Sequence, residues 1–325
     1  MSKRWFAAAA AVLIAAPLYA QDQQCVNAGN AGDACQKAID LFQYMAPQLG
    51  ISLTGGNSVL GQGGALGGLG HFAIELKGNI VAGSLPNVDQ VGAQYGPATK
   101  DNYTTKNQVL GLPAATVAIG LFKGLPLGLT NVGGIDALVS ATYIPKVDAN
   151  NISVEPKTNV QLGYGVRVGL LQESLLVPGV GFSWIKRDLP KTTITGTAST
   201  ALTANDTLTI KDLDEKTSAW RLTASKSLLL FSLAAGYGQD KYSSSTAIAA
   251  VAYPPVGGAA RATASVKQSL TRTNMFVDAT MNLIAFKLVG EVGQVSGGTV
   301  NTFNTFDKPA DNSRFYGSVG LRFGF

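Results

Sequence analysis

The chain has 325 residues, of which 46% are hydrophobic and 14% charged, with a net charge of +5. Ordinary soluble domains carry about 25% charged residues, so a water-immersed helical enzyme is a poor fit, and the scattered positive charge forms no Lys/Arg-dense run that would serve nucleic acid. Past the first twenty residues no window approaches the roughly 18 consecutive apolar residues of a spanning helix, so a lipid-facing chain with 38 glycines has to cross a membrane with strands.

Lys3 and Arg4 precede an apolar run from Trp5 to Leu18, after which Tyr19-Ala20 gives way to Gln21-Asp22-Gln23-Gln24. That run is too short to span and has the layout of a secretory signal peptide over residues 1–20, cut after Ala20. The residues before Cys25 lack the Leu and small side chains of a lipoprotein box. Cys25 and Cys35 are the two cysteines; in an oxidising compartment a disulfide between them is expected. Two thiols and one distant histidine, His71, do not make a zinc site, so no metal and no other cofactor is expected.

Residues 21–70 form an N-terminal segment unlike the rest. Asp33 reads as a helix cap with Gln36 at the third helical position, and Ile39, Phe42, Met45 and Leu49 follow at helical spacing until Pro47 and Gly50 stop the helix. A short amphipathic helix packed on the periplasmic mouth is expected, and a plug entering the lumen is the alternative. Gly55-Gly56 and the run from Gly61 to Gly70 then form a flexible or closely packed connector. Their spacing is not that of a dinucleotide-binding loop.

From His71 to Phe325 the period is two, in segments of about ten residues separated by turns or loops, the pattern of a membrane barrel. Ile74, Leu76 and Ile80 oppose Glu75, Lys77 and Asn79; Val166 and Val168 oppose Arg167; Val277 and Ala279 oppose Asp278. Short joins alternate with polar connections near 84–112, 146–157, 188–216, 241–270 and 297–312. This gives strands near 71–83, 113–123, 129–144, 158–171, 175–187, 217–226, 229–240, 272–282, 284–296 and 313–325. The fold class is therefore all-β, a transmembrane antiparallel up-and-down barrel of about ten strands with a short N-terminal helix. An even count returns the start of the barrel to the side where it ends, so both chain termini are expected in the periplasm. Two aromatic belts emerge, Tyr143, Trp184, Trp220 and Phe315 at one end and Phe72, Phe122, Phe231, Phe286 and Phe323 at the other. Residues 192–197 and 207–212 also look β-prone and would extend strands or add a hairpin, and residues 51–61 offer another strand, which leaves twelve or fourteen strands open.

In the closing stretch, Phe315, Gly317, Val319, Leu321, Phe323 and Phe325 fall on one face, while Tyr316, Ser318, Gly320, Arg322 and Gly324 fall on the other. The stretch resembles the C-terminal signature of Gram-negative outer-membrane β-barrel proteins, whose last residue is typically Phe. That resemblance implies an outer-membrane location, with Phe323 and Phe325 as an assembly signal and the outer-membrane insertion machinery and lipid as partners. The helix with its glycine-rich lead-in is loosely similar to the lumen-entering N-terminus of FadL-type long-chain fatty-acid transporters, from which no residue role is carried over.

The non-lipid face collects Glu75, Lys77, Arg167, Arg221, Asp278, Lys287, Glu291 and Arg322 as lumen-lining candidates. Charges of both signs in a narrow lumen read as a mutually neutralising network, or as a constriction that selects solutes. Outer-membrane enzymes generally rely on a histidine with Ser or Asp partners, and His71 falls at the periplasmic start of the first strand, so no catalytic residue is assigned. Two function classes remain: passive passage of small solutes, hydrophobic ones or a lipid ligand included, and a structural or surface-interaction barrel with a blocked lumen and exposed loops.

Overall fold

The computed structural model describes residues 20–87, 93–149, 152–200, 203–253 and 258–324; residues 1–19, where a signal peptide is expected, and Phe325 lie outside them. Ten strands carry the alternation into a ring: β1 (Phe72–Pro86), β2 (Thr105–Phe122), β3 (Gly134–Tyr143), β4 (Val160–Leu171), β5 (Gly179–Asp188), β6 (Thr203–Leu228), β7 (Phe231–Ala252), β8 (Ala260–Asn282), β9 (Lys287–Ser296) and β10 (Arg314–Gly324). Each pairs antiparallel with its neighbours in sequence, and β1 closes on β10 with Leu76 opposite Leu321 and Ile80 opposite Gly317. The pleat sorts side chains sharply: Leu76 is 55% exposed, whereas Glu75 and Lys77 beside it are 1% and 5% exposed. An oily outside and a polar inside follow from that period of two.

The two ends of the ring differ. At one end the joins are short, as at Leu229–Leu230 between β6 and β7, and the first residues of β1 meet the last of β10 there. The β2–β3 join is longer than the sequence suggested: residues 125–132 fold into a hairpin of their own, Leu125–Leu127 against Thr130–Val132, and β3 starts at Gly134. At the other end lie the long connections. Here β6, β7 and β8 run well past the ring, and Thr192–Thr200, Ile152–Pro156 and Val147–Ala149 add to the edge of β6. The β-prone stretches 192–197 and 207–212 thus pair with one another as an extension of the sheet.

The N-terminal segment departs most from expectation. After a short helix α1 (Gln23–Val26) and a 3-10 turn, α2 runs unbroken from Gly32 to Thr54. Its 23 residues give a rod about 35 Å long. Only its last turns lie inside the ring, where Ile51 is buried; the rest packs on the inward faces of β6, β7 and β8 where these strands project past the ring at the long-loop end. Ala38, Ile39, Phe42 and Ala46 meet Leu213, Ile248, Ala262, Ala264 and Val266 toward the long-loop end. One turn or more further on, Ile51 meets Val81, Tyr242, Leu270, Phe276 and Tyr316.

Neither expected stop ends α2. Pro47 lacks the N–H that would bond to Gln43, and Gln268 on β8 donates to the Gln43 carbonyl instead at 3.2 Å, so the wall repairs the helix where proline breaks its ladder. Gly50 is a contact, not a stop: a Cβ there would lie 2.6 Å from Cγ of the Tyr242 ring. Asp33 does not cap the helix either. The N-cap is Ala31, without a side-chain cap, and the Asp33 carboxylate reaches across to the β1–β2 connection. Residues 51–54 finish the helix, and 55–61 form no strand. The ring has ten strands.

Because the segment runs from the long-loop end into the ring, Gln24 and Gly324, near the two limits of the described residues, lie at opposite ends of the ring. Gln24 exchanges hydrogen bonds with the backbone of Ser265 in the outward extension of β8, whereas Gly324 lies opposite Ala73 at the short-join end. The start of β1 is where the strand count puts it. The segment before it then turns back through the barrel.

Candidate functional site

The lumen below α2 is filled by residues 54–66, and the wall holds that stretch chiefly by its main chain. Carboxylates take its N–H groups: Asn57 donates to Glu291 Oε2 at 2.7 Å, Leu60 to Glu75 Oε2 at 2.7 Å, Gly61 to Asp278 Oδ2 at 2.9 Å and Leu66 to Asp136 Oδ1 at 3.1 Å. Cationic and amide side chains donate to its carbonyls. Arg187 Nη1 reaches Thr54 O at 2.7 Å, Arg221 Nε reaches Gly56 O at 2.9 Å, Asn274 Nδ2 reaches Gly55 O at 3.0 Å, and Arg322 Nη1 reaches Leu60 O. A stretch with no regular structure leaves these groups orphaned, and in a buried place each needs a partner.

Glycine is what lets the wall come this close. At Gly56 a Cβ would fall on the Glu291 carboxylate. At Gly61, where φ is +69°, a Cβ would fall on the Thr280 hydroxyl, so any side chain there meets both a clash and a strained backbone. The inward glycines of the wall answer the same need from the other side: Gly169 packs on Ala65, and Gly179 and Gly181 pack on Gly63 and Gly64. The space left by missing side chains is occupied by chain.

The lumen candidates named from sequence fall into three groups. Glu75 and Lys77 are ion-paired at 3.0 Å along β1, and both touch the threaded stretch, Lys77 Nζ reaching Asn57 O at 3.4 Å. Asp278 and Glu291 sit directly opposite each other on β8 and β9, two carboxylates spanned by the N–H groups of residues 57–61. Arg167, Arg221 and Arg322 are buried at 2%, 1% and 5% exposure, with Arg167 paired to Asp136 at 2.9 Å and Arg221 to Asp240 at 2.5 Å. Lys287 is half-buried near the short-join end and takes no part in the group around residues 54–66. His71 is exposed at that same end.

Sequence reading missed Asp136, Arg187 and Asp240, and it placed Asn274 on the inward face, opposite Met275, without counting it among the lumen candidates. Asp240 accepts from Thr54 Oγ1, Tyr242 Oη and Asn274 Nδ2 besides pairing with Arg221, so it is a hub of the wall. Carrying the alternation of β7 two residues further, through Gly236, Gly238, Asp240 and Tyr242, would have found it. Asp136 is equally visible as the polar partner of Ile135 and Ala137 on β3.

At the long-loop end different groups hold the segment. The Asp33 carboxylate accepts from Gln94 N at 2.6 Å and Thr99 N at 2.9 Å and pairs with Lys37, which also reaches Asp101. Asp40 accepts from the N–H groups of Phe303 and Asn304 at 3.1 and 2.8 Å. Cys25 and Cys35 are bonded, their Cα atoms 5.4 Å apart. Glu215, in β6 beyond the ring, is fully buried, and burial pushes its carboxyl up to about 8. Among the described residues no group of three or more His, Cys, Asp or Glu side chains is placed to hold a metal ion.

Outside, aromatic side chains sit in two rows. Tyr164 and Trp184, Phe182 and Trp220, and Trp220 and Tyr237 have ring centroids 6.1, 6.0 and 5.9 Å apart toward the long-loop end, and Phe286 and Phe323 are 5.9 Å apart at the short-join end. Phe323, named with Phe325 as an assembly signal, is therefore a member of the lower row on the outer face.

No protein-family model matches the chain, and no curated protein matches it. Among solved structures it is similar to an anion-selective porin from Comamonas acidovorans, at 12% identity and a TM-score of 0.18, covering 78% of this chain and 98% of that one. It is also similar to OmpT, an outer membrane protein of Vibrio cholerae, at 11% identity and a TM-score of 0.19, covering 78% and 96%. A third, OccK2 (OpdF) of Pseudomonas aeruginosa, is at 8% identity and a TM-score of 0.13, covering 81% and 99%.

Proposed function

We propose that this chain is an outer-membrane β-barrel closed at rest by its own N-terminal segment, and that it passes small solutes only when that segment shifts. The observation that carries this reading is the filled lumen: the last turns of α2 and residues 54–66 occupy the ring and are bonded to it, while the rest of α2 covers it from the long-loop end. Ten strands enclose little space, far less than the roughly 16–18 strands that leave an open aqueous channel, so one helix suffices as a stopper. The outer-membrane setting is supported by the oily outer face, the two aromatic rows and the contrast between short joins and long loops. In that setting the long-loop end faces the exterior, which puts Gln24 toward the cell surface and Gly324 toward the periplasm, with lipid and the insertion machinery as partners.

Single-channel recording in planar bilayers tests the reading. The full-length protein is expected to be silent, and removing residues 21–60 while keeping the signal peptide is expected to produce steady conductance with the heat-modifiable folded form retained. If the folded deletion variant were as silent as the parent, a second reading would take over. That reading is a structural or surface-interaction barrel, which the sheet extension formed by β6–β8 with strands 192–200 and 152–156 favours by projecting past the ring.

A further inference from the structure

We infer that the lumen wall is a binding site for non-helical, glycine-rich polypeptide, and that peptides of this class are the ligands it takes when the resident segment is displaced. The inference rests on the closed-at-rest reading and names the ligand of the same site. Recognition runs through chemistry that every peptide shares. Glu75, Asp278, Glu291 and Asp136 accept four main-chain N–H groups, while Arg187, Arg221, Asn274 and Arg322 donate to four main-chain carbonyls.

Side chains of the threaded stretch add apolar contacts, Val59 and Leu66 packing among Ala73, Ala118, Leu138, Ile185 and Ala219 of the wall. Ser58 meets Ser183, and Asn57 Nδ2 reaches Asp278 at 2.8 Å, but at the closest approaches the wall demands that there be no side chain at all. Carboxyl acceptors and guanidinium or amide donors are therefore spread along a path that leaves no room for a side chain at Gly56 and Gly61. A flat sugar ring or an isolated anion offers no such sequence of donors and acceptors at peptide spacing. A stretch of main chain does, because each residue carries one donor and one acceptor, and hydrogen bonds to charged groups are the stronger kind.

The test uses the full chain with its resident segment loosened by Gly61→Val, purified in the heat-modifiable folded form in detergent micelles. The probe is a synthetic peptide of residues 54–66, blocked at its termini and carrying a fluorophore at one end, and binding is read by anisotropy, independently of conductance. Saturable binding at least about tenfold tighter than to the wild-type protein, whose site is filled, is expected. A peptide with valine at the positions of Gly56 and Gly61 is expected to bind the loosened protein at least about tenfold more weakly, a difference of about 1.4 kcal/mol. Should Gly61→Val not fold, Asn57→Ala, which removes the Asp278 contact without adding bulk, loosens the same stretch and takes its place. No saturable binding to a folded loosened variant, or equal binding of both peptides and of a neutral oligosaccharide of similar length, would overturn the inference. Peptide binding without conductance in the deletion variant would sink only the closed-at-rest reading.

Discussion

The two halves of the N-terminal segment are held in the same barrel by opposite means. In the outer half, α2 has satisfied its own main chain, so it meets the wall with side chains: Ile39, Phe42 and Ala46 pack on apolar residues of β6–β8. In the inner half no helix exists, and the main chain meets carboxyl and guanidinium groups of the wall directly. Secondary structure thus decides what the wall must be. Opposite a helix the inward faces of the strands can be Ile248, Ala262 and Val266, whereas opposite an irregular stretch Glu, Asp and Arg have to stand beside the apolar Ala118, Leu138 and Ile185 that receive Val59.

The largest expected effect lies in the inner half. Arg221→Leu leaves Asp240 buried without its cation and removes donors from Gly55 and Gly56, which should cost about 3–5 kcal/mol. Urea unfolding in micelles reads the loss, and adding Asp240→Leu should recover much of it, since the unpaired buried charge is then gone. If the single variant were as stable as the parent, charge would not be what holds this half. In the outer half, Cys35→Ala opens the ten-residue loop to Cys25 and should cost about 2–3 kcal/mol in the chain-entropy account. It should loosen the segment only near α1, measured as faster hydrogen exchange there with the inner half unchanged. Equal loosening along the whole segment would erase the distinction between the halves.

The third effect, confined to the sheet extension, concerns the outer wall itself. Burial holds the Glu215 carboxyl at about 8 in the folded protein, above an unfolded value of about 4.3. The folded state keeps a proton that the unfolded chain gives up, so stability is full below the unfolded value and declines as pH rises toward 8. Protection of the β6–β7 extension should fall between about pH 5 and 8, and Glu215→Gln should flatten that dependence. A slope unchanged by the substitution would assign it to other groups.

The ring was legible because a membrane wall imposes one rule on every strand, and Leu76 between Glu75 and Lys77 shows it in three residues. The lumen was legible only in part. Alternation says that Glu75, Arg221 and Asp278 face inward, but it does not say what they face, since their partners are main-chain atoms of a stretch with no period. Pro47 and Gly50 misled for a related reason. Both are read as stops by local rules, and both are overruled by a wall residue far away in sequence, Gln268 for the one and Tyr242 for the other. Tertiary context overrides local propensity where a helix has the whole inside of a barrel to lean on.

The seam between β1 and β10 joins the first strand of the ring to the last, with the segment already inside and its far end bonded beyond the opposite rim. A closed ring has no side door. The segment can therefore enter, leave or shift only along the axis, like a cord through a bead. The covalent loop between Cys25 and Cys35 then works as a knot in that cord: a doubled strand of chain, wedged among the long connections, that resists being drawn back through a passage already fitted to a single bare backbone.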